Sequence, residues 1–482
     1  MKTRIAKFAL AFELGAILIA SAFAQEKNAK DDQTLTPAQL AEHTIERRAI
    51  EAVIWGMPAV NYDIMYQAMV RDAKGAQNQI VYWSRLFDWK NQTLTPNPDA
   101  IYFMPFFDTK DGPMVLEVPP SGDEGVIVGS IMDCWQSALE DVGPAGVDKG
   151  KGGKCLILPP DYKGNVPDGY FVMPSDTTAG YALVRSNPKS GSEVDVAKAV
   201  AYGKRMKLYP LSQAASPPPT TYVDTIDVVF EANIPYDLRY FESLDRIVQS
   251  QPWLTRDKAM IDPLKSIGIE KGKPFNPDSK TREILQRAIK EAHAWLADKY
   301  EHNYFPPPFY DGGQWHAPFS PEVAKGMPTF FSEPSTYPID SRGTAYTLGF
   351  FSSKHLGAGQ FYLMTFNDKA GQGLSGDKNY RLNVPAHAPV NQYWSATAYD
   401  RATHGLIRNM KWSSRSSQTP GLTINADGSV DIYFGAKSPE GKESNWVPAK
   451  SGGQFEVLFR FYGPEKPLFE KTWKLGEIEK MK

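Results

Sequence analysis

Cysteine is nearly absent from this chain: Cys134 and Cys155 are the only two among 482 residues. A disulfide framework of the kind that staples small secreted domains is therefore excluded, and two thiols do not supply the spacing of a zinc site. An excess of charge of either sign is missing as well. Lysine and arginine total 53 against 55 acidic residues, with no basic stripe, so no nucleic-acid partner is expected. After the N-terminus no apolar run approaches the length of a membrane span, and no transmembrane segment is expected. Catalytic signatures are scarce too. Gly150-Lys151-Gly152-Gly153-Lys154 lacks the spacing of a phosphate-binding loop, with Asp148 where the first glycine belongs and Cys155 in place of serine or threonine. There is no H-E-x-x-H helix and no G-x-S-x-G elbow. Histidines such as His293, His387 and His404 are scattered, so no metal or cofactor is expected.

What is present points to a β-rich protein with many turns: 12% aromatic residues, with proline and glycine at 38 each. A chain of this length should divide into two or three domains. Lys2, Arg4 and Lys7 precede an apolar run over 8–20, and Ala22-Phe23-Ala24 reads as a cleavage site. Residues 1–24 are therefore expected to be a signal peptide cut after Ala24. The run, about 13 residues, is too short for an uncleaved anchor, which needs about 20. The mature protein is expected to be soluble and periplasmic or secreted. In that oxidising compartment Cys134 and Cys155, on consecutive predicted strands, either form a bridge or remain a buried free pair.

Residues 25–75 read as a polar lead-in followed by helices. Thr36-Pro37-Ala38-Gln39 has the pattern of a capping box with proline at the first helical position. Pro58 is expected to interrupt the helix, with a second piece running on to Gly75. Residues 76–190 change to short extended runs separated by Gly, Pro and Asp clusters, the rhythm of a sandwich or barrel. Within them 126–132 is almost continuously apolar, which predicts a strand covered on both faces. Residues 191–340 turn helical, with a rigid Ser216-Pro217-Pro218-Pro219 connector. Residues 341–482 return to strands, and Asn425-Ala426-Asp427-Gly428 predicts a tight hairpin turn before Val430.

The rest of the chain is organised around residues 94–102. Pro96 and Pro98 restrict themselves and their predecessors to extended geometry, making a stiff elbow at the mouth of a sheet. Asn97 and Asp99, two apart, share a direction on an extended chain. With Tyr102 they offer an amide, a carboxylate and a phenol, enough to hold a polar substrate or to act as acid and base. The same residues at a proline turn also commonly bond nearby backbone. Asp133 and Trp135, ending the apolar strand, are candidates for the same site. Lys154 is a candidate catalytic partner, or an ordinary ion-pair partner for a buried aspartate. Asn445 and Trp446 are candidate ligand contacts in a late loop, where Trp446 either stacks on a sugar or plugs the end of a sandwich. Arg460 on a late strand can meet a carboxylate, internal or ligand-borne.

These stretches resemble two bacterial families of unknown function, DUF1254 followed by DUF1214. Pro96, Asn97, Asp99, Tyr102, Gly112, Pro113, Val115 and Pro119 match the first family's P-N-x-D-T-x-Y signature and the strand after it, with Ala100 where threonine is usual. The 150–154 stretch, with Leu156 and Pro159-Pro160, is similar to the same family's G-x-G-G-K-Y segment, Cys155 replacing tyrosine. Trp394-Ser395, Thr397 and Tyr399-Asp400 match the second family's W-S-x-T-x-Y-D strand. Asn425, Asp427-Gly428-Ser429, Tyr433, Gly435, Pro439, Gly441-Lys442-Glu443 and Asn445-Trp446 match that family's hairpin and loop, and Arg460, Tyr462 and Lys471-Thr472-Trp473 match its end. The resemblance implies an exported β-sandwich protein with a helical segment, often a homo-oligomer. It implies no established reaction.

The expected fold is mainly β within an α+β multidomain chain: two antiparallel sandwich or jelly-roll-like modules with N-terminal and central helical segments. Three functions are compatible with it. One is a hydrolase or lyase acting on a small polar or glycan-like substrate through Asp99 and Tyr102, with Asp133 and Lys154. Another is a non-catalytic binding protein with an aromatic cleft between the modules. The third is an envelope or assembly component.

Overall fold

A computed structural model describes residues 35–302, 304–349, 352–355, 357 and 359–482. The expected signal peptide and polar lead-in lie outside the described residues.

The described chain opens as its sequence predicts. Thr36 caps the helix Pro37–Arg71, its side chain accepting from the Gln39 N–H while the Gln39 side chain accepts from the Thr36 N–H. The expected break at Pro58 does not occur: the helix runs straight through it. A mid-helix proline costs about 3 kcal/mol, and here burial outweighs that cost. Every residue from Ala52 to Met65 is buried, against the helices Leu238–Ser250, Ser279–His302 and Ile339–Leu348. Each large side chain among them contributes about 1.5–3 kcal/mol. The carbonyl of Ile54, which Pro58 deprives of its N–H partner, is approached by Gly343. A Cβ at that glycine would stand 2.6 Å from the Ile54 oxygen.

The first β module is a sandwich. Its larger sheet has the strand order Tyr222–Asp224, Gln79–Tyr82, Ile101–Asp108, Ala179–Ser186, Ile127–Asp133, Ala138–Val142. It is antiparallel except at the first pair. The apolar strand Ile127–Asp133 is thus one place in from the edge. The smaller sheet runs Lys207–Pro210, Met114–Val118, Gly153–Leu158, Phe171–Pro174. Ile101, Phe103, Phe107, Leu116, Ile131, Ile157 and Val184 fill the space between the two sheets. The second module repeats the plan with the sheets Gln360–Thr365, Phe455–Pro464, Val390–Asp400, Ser414–Ser416 and Trp446–Pro448, Val430–Gly435, Tyr380–Val384, Ile478–Lys480. Leu382, Ala396, Ile432, Val457, Phe459 and Phe461 make its core. The turn at 425–428 forms, with Gly428 at φ +81°, but Val430–Gly435 pairs with Tyr380–Val384 rather than with the segment before the turn.

Strand alternation leaves each inner sheet a second face, and both of those faces are largely buried. Tyr102, Met104, Phe106, Tyr181 and Leu183 from the first module join Met364, Tyr399 and Leu458 from the second in one core with the helices. The two sandwiches are therefore joined through a third, shared core. Cys134 lies in that shared core and Cys155 inside the first sandwich, so they form no disulfide; both are free and buried. Burial pushes both thiols up, Cys155 to about 12. Among the described residues no helix is long and apolar enough to cross a membrane.

Candidate functional site

The shared core is not completely filled. A cavity of about 70 Å³ lies where the two inner sheets face each other. On the first sheet Tyr102 and Arg185 are direct cross-strand partners, with Met104 and Leu183 on the same face. On the second sheet Tyr362 and Arg460 are likewise cross-strand partners, with Met364 and Leu458 beside them. Each module thus contributes one tyrosine–arginine pair. The guanidinium lies 4.9 Å from the Tyr102 ring in one and 5.3 Å from the Tyr362 ring in the other. The 94–96 elbow, Asn91, Thr93, Trp83, Phe319 and the helix Ile339–Leu348 line the rest of this partly open space.

The elbow is held by both modules. Thr95 has φ +39°, a left-handed conformation that a β-branched residue adopts only under constraint, at a cost of about 1–3 kcal/mol. Three bonds impose it. The Thr95 N–H donates to the His404 carbonyl at 2.7 Å, its hydroxyl to the Leu348 carbonyl at 2.8 Å, and its own carbonyl accepts from Arg460 at 2.7 Å. Backbone strain held this firmly beside a cavity is characteristic of binding and catalytic sites.

Of the residues singled out in the sequence, Tyr102 and Arg460 line the cavity. Asn97 and Asp99 stand behind it. The Asn97 amide is fully buried and donates to the Tyr393 and Tyr462 hydroxyls at 2.9 and 2.8 Å, while its oxygen accepts from the Asp99 N–H. Asp99 accepts from the Ser414 hydroxyl at 2.5 Å. Burial pushes its carboxyl up, partly offset by Ser414 and Ser416 and by the charges of Arg460 and Arg415. Amide and carboxylate are therefore spent on joining the elbow to the second module.

Asp133 and Trp135 do not meet Tyr102. The register places Asp133 opposite Gly180 and Gly180 opposite Phe107. Five residues separate Phe107 from Tyr102, about 17 Å along a strand. Trp135 packs on Trp55, ring centroids 4.8 Å apart. Lys154 sits on the other sheet of the sandwich, paired in register with Glu117 and 5.8 Å from the Tyr170 ring. Asn445 imitates backbone, accepting from the Thr423 N–H and donating to the Thr423 and Asp431 carbonyls. Trp446 donates to the Gly435 carbonyl and packs edge-on against Trp412. Trp446 opens an edge strand of the far sheet of the second sandwich, and Asn445 ends the short turn before it. Among the described residues no cluster of three or more His, Cys, Asp or Glu side chains forms a metal site.

Asp133 has a role of a different kind. Its Oδ1 accepts from the Trp135 and Ser137 N–H groups, while Oδ2 has no partner among the described residues. Burial raises its pKa to about 6, against the pull of the Ser137 bond and the charges of Arg256 and Arg342. A raised carboxyl stabilises the fold fully below its unfolded value of 3.8, and loses that contribution as pH climbs to about 6. The ionised form at neutral pH is a liability of about 3 kcal/mol. Asp133→Asn retains an acceptor for the two N–H groups and removes the charge. It is expected to match or exceed the parent in urea midpoint near neutral pH and to lack the decline between about pH 4 and 6. A loss of more than about 2 kcal/mol at neutral pH would show instead that Arg256 and Arg342 depend on the charge.

Arg185, Tyr362 and Thr95 are not marked as site residues by any motif. A signal for Arg185 exists: it follows Tyr181 and Leu183 at spacing two, so a charge occupies a face that is otherwise apolar. Nothing comparable marks Thr95, whose dihedral is imposed by contacts distant in sequence.

Fold and site together define a class, that of two-sandwich proteins with a partly enclosed, arginine- and tyrosine-lined cavity at the junction of the modules. Residues 77–210 match the family described as "Protein of unknown function (DUF1254)" and residues 359–466 the one described as "Protein of unknown function (DUF1214)", and the chain belongs to the family that joins these two modules. Among solved structures it is similar to the VPA0106 protein from Vibrio parahaemolyticus. The two are 19% identical with a TM-score of 0.57, over 91% of this chain and 100% of that one, a likeness of fold. An uncharacterized protein from Burkholderia cenocepacia matches at 10% identity and a TM-score of 0.38, over 92% and 95% of the two chains. No curated protein matches.

Proposed function

We propose that this is an exported protein that binds a small polar molecule in the cavity between its two modules, beside the 94–102 elbow. The observation that carries the reading is the make-up of the cavity walls. Both modules contribute a tyrosine–arginine pair to a space whose other walls are mainly apolar, with Asn91, Thr93 and Thr95 as further polar groups, the composition of a small-molecule site. Export is supported by the leader-like N-terminus, and oligomer formation by the family resemblance alone. A thermal-shift screen of small metabolites and oligosaccharides tests the binding: at least one compound is expected to raise the melting temperature of the native protein. Ala345→Phe, which fills part of the cavity from the helix Ile339–Leu348, is expected to abolish that shift while leaving the circular dichroism spectrum unchanged. A screen without stabilising compounds, or an unchanged shift in A345F, would remove the reading.

Processing of the bound molecule is favoured by one feature. The Tyr102 oxygen accepts from Arg185 Nε at 3.0 Å and from the Asn97 N–H at 3.1 Å, which orients the phenol for proton transfer. An NMR spectrum of the ligand that stays unchanged after incubation leaves binding alone. New resonances that vanish in Tyr102→Phe would assign lytic or hydrolytic chemistry.

A further inference from the structure

We propose that the ligand of this cavity is a small monocarboxylic acid, its carboxylate held by Arg185 with Arg460 facing it from the other module, and its apolar part lying against Trp83, Met104, Leu183 and Leu458. The proposal rests on the binding reading above and adds the chemical class.

Charge decides the class. Arg185 is 95% buried, from a relative exposure of 5%, and a buried cation costs several kcal/mol unless paired. Its Nε donates to the Tyr102 hydroxyl, yet Nη1 has no partner among the described residues. Arg460 is buried too, and its bonds go to neutral acceptors: the Thr397 hydroxyl, the Thr95 carbonyl and the Tyr399 hydroxyl. The groups that act most strongly on the two guanidiniums are phenols, Tyr102, Tyr362, Tyr399 and Tyr462. Burial pushes Tyr399 and Tyr462 well above the ordinary phenol value, so they are neutral dipoles and cancel no charge. Asp99 lies within electrostatic reach of Arg460. No carboxylate among the described residues is one of the groups that act most strongly on Arg185.

One negative charge completes the site. The planar fork of Arg185, with its unpaired Nη1 edge, suits a carboxylate. A dianion such as a phosphate monoester would exceed the single uncompensated cation. A neutral sugar could bond to Asn91, Thr93 and Thr95 but would leave the Arg185 charge unanswered.

Isosteric probes test this on the full mature protein. Acetate, butyrate, benzoate and phenylacetate are titrated by calorimetry and thermal shift beside benzamide and benzyl alcohol. An acid is expected to bind at least ten-fold more tightly than its neutral isostere. Arg185→Gln is expected to weaken the acid at least ten-fold and the amide little. The acid-against-amide comparison needs no variant, so it stands even if R185Q does not fold. Equal binding of acid and amide, binding of other compounds of the screen but of none of these acids, or undiminished acid binding in folded R185Q would overturn the carboxylate assignment and leave the binding reading intact. No stabilisation by any compound, acid or neutral, would overturn both.

Discussion

Replacing Glu456 with alanine is expected to destabilise the protein by about 3–5 kcal/mol, the range for removing one partner of a buried ion pair. Glu456 is fully buried on the strand Phe455–Pro464, on the face it shares with Arg460. It accepts from the Tyr300 hydroxyl at 2.6 Å and from Arg401 at 3.2 Å, and lies 2.9 Å from His404 Nδ1. Without the carboxylate, Arg401 keeps exposed Glu301 and the Tyr300 and Phe366 rings but no buried counter-charge among the described residues, and the Tyr300 hydroxyl is left with Met364 Sδ at 4.0 Å. His404 is also the residue whose carbonyl takes the Thr95 N–H, so the loss should loosen the elbow and diminish any ligand-induced thermal shift.

The same group predicts an acid limb. Burial pushes the Glu456 carboxyl up, but His404, Arg401 and the Tyr300 hydroxyl together hold it below the ordinary value of 4.5. A depressed carboxylate contributes its stability above its unfolded pKa, and that contribution is lost as pH falls through the folded value. Denaturant titrations of the parent should lose stability below about pH 4.5 more steeply than those of Glu456→Gln. Parallel curves would show that the interactions around Glu456 do not depend on its charge.

Asn97→Ala is expected to cost about 3 kcal/mol, because it leaves two buried phenol oxygens and the Asp99 N–H without partners, each worth about 1–3 kcal/mol. Those phenols, Tyr393 and Tyr462, belong to the second module, so the loss falls on the joint between modules. Tyr393→Phe made together with N97A should show coupling of about 0.5–3 kcal/mol. A cost below about 1 kcal/mol with additive effects would mean that the Asn97 amide is not committed to this joint and remains available to a ligand.

Much of the architecture was legible in the chain. The Thr36 capping box and the strand rhythm of both modules follow from local rules, because cap geometry and two-residue alternation need only near neighbours. The elbow does not, since Thr95 before Pro96 is left-handed at φ +39° instead of extended, held there by His404, Leu348 and Arg460. Pro58 defeats local rules for the complementary reason: a helix surrounded by other helices tolerates what an isolated one does not. Asp133 and Tyr102 look close in role, and the sheet register separates them. Asn445 and Trp446 look like ligand contacts, and hydrogen bonds to Thr423, Asp431 and Gly435 occupy them.

The strand carrying Phe455, Val457, Phe459 and Phe461 on one side and Glu456, Leu458, Arg460 and Tyr462 on the other shows where local information stops. Alternation by itself determined that these residues form a two-faced strand, and which four face the core of their own sandwich. Taken alone, the polar side belongs in water. Only the tertiary structure decided that it lies against the equivalent face of another sandwich, because no periodicity within a strand reports what lies beyond its own sheet. Burial there turns Glu456 into a bolt and brings Arg460 to the same cavity as Arg185 of the other sandwich.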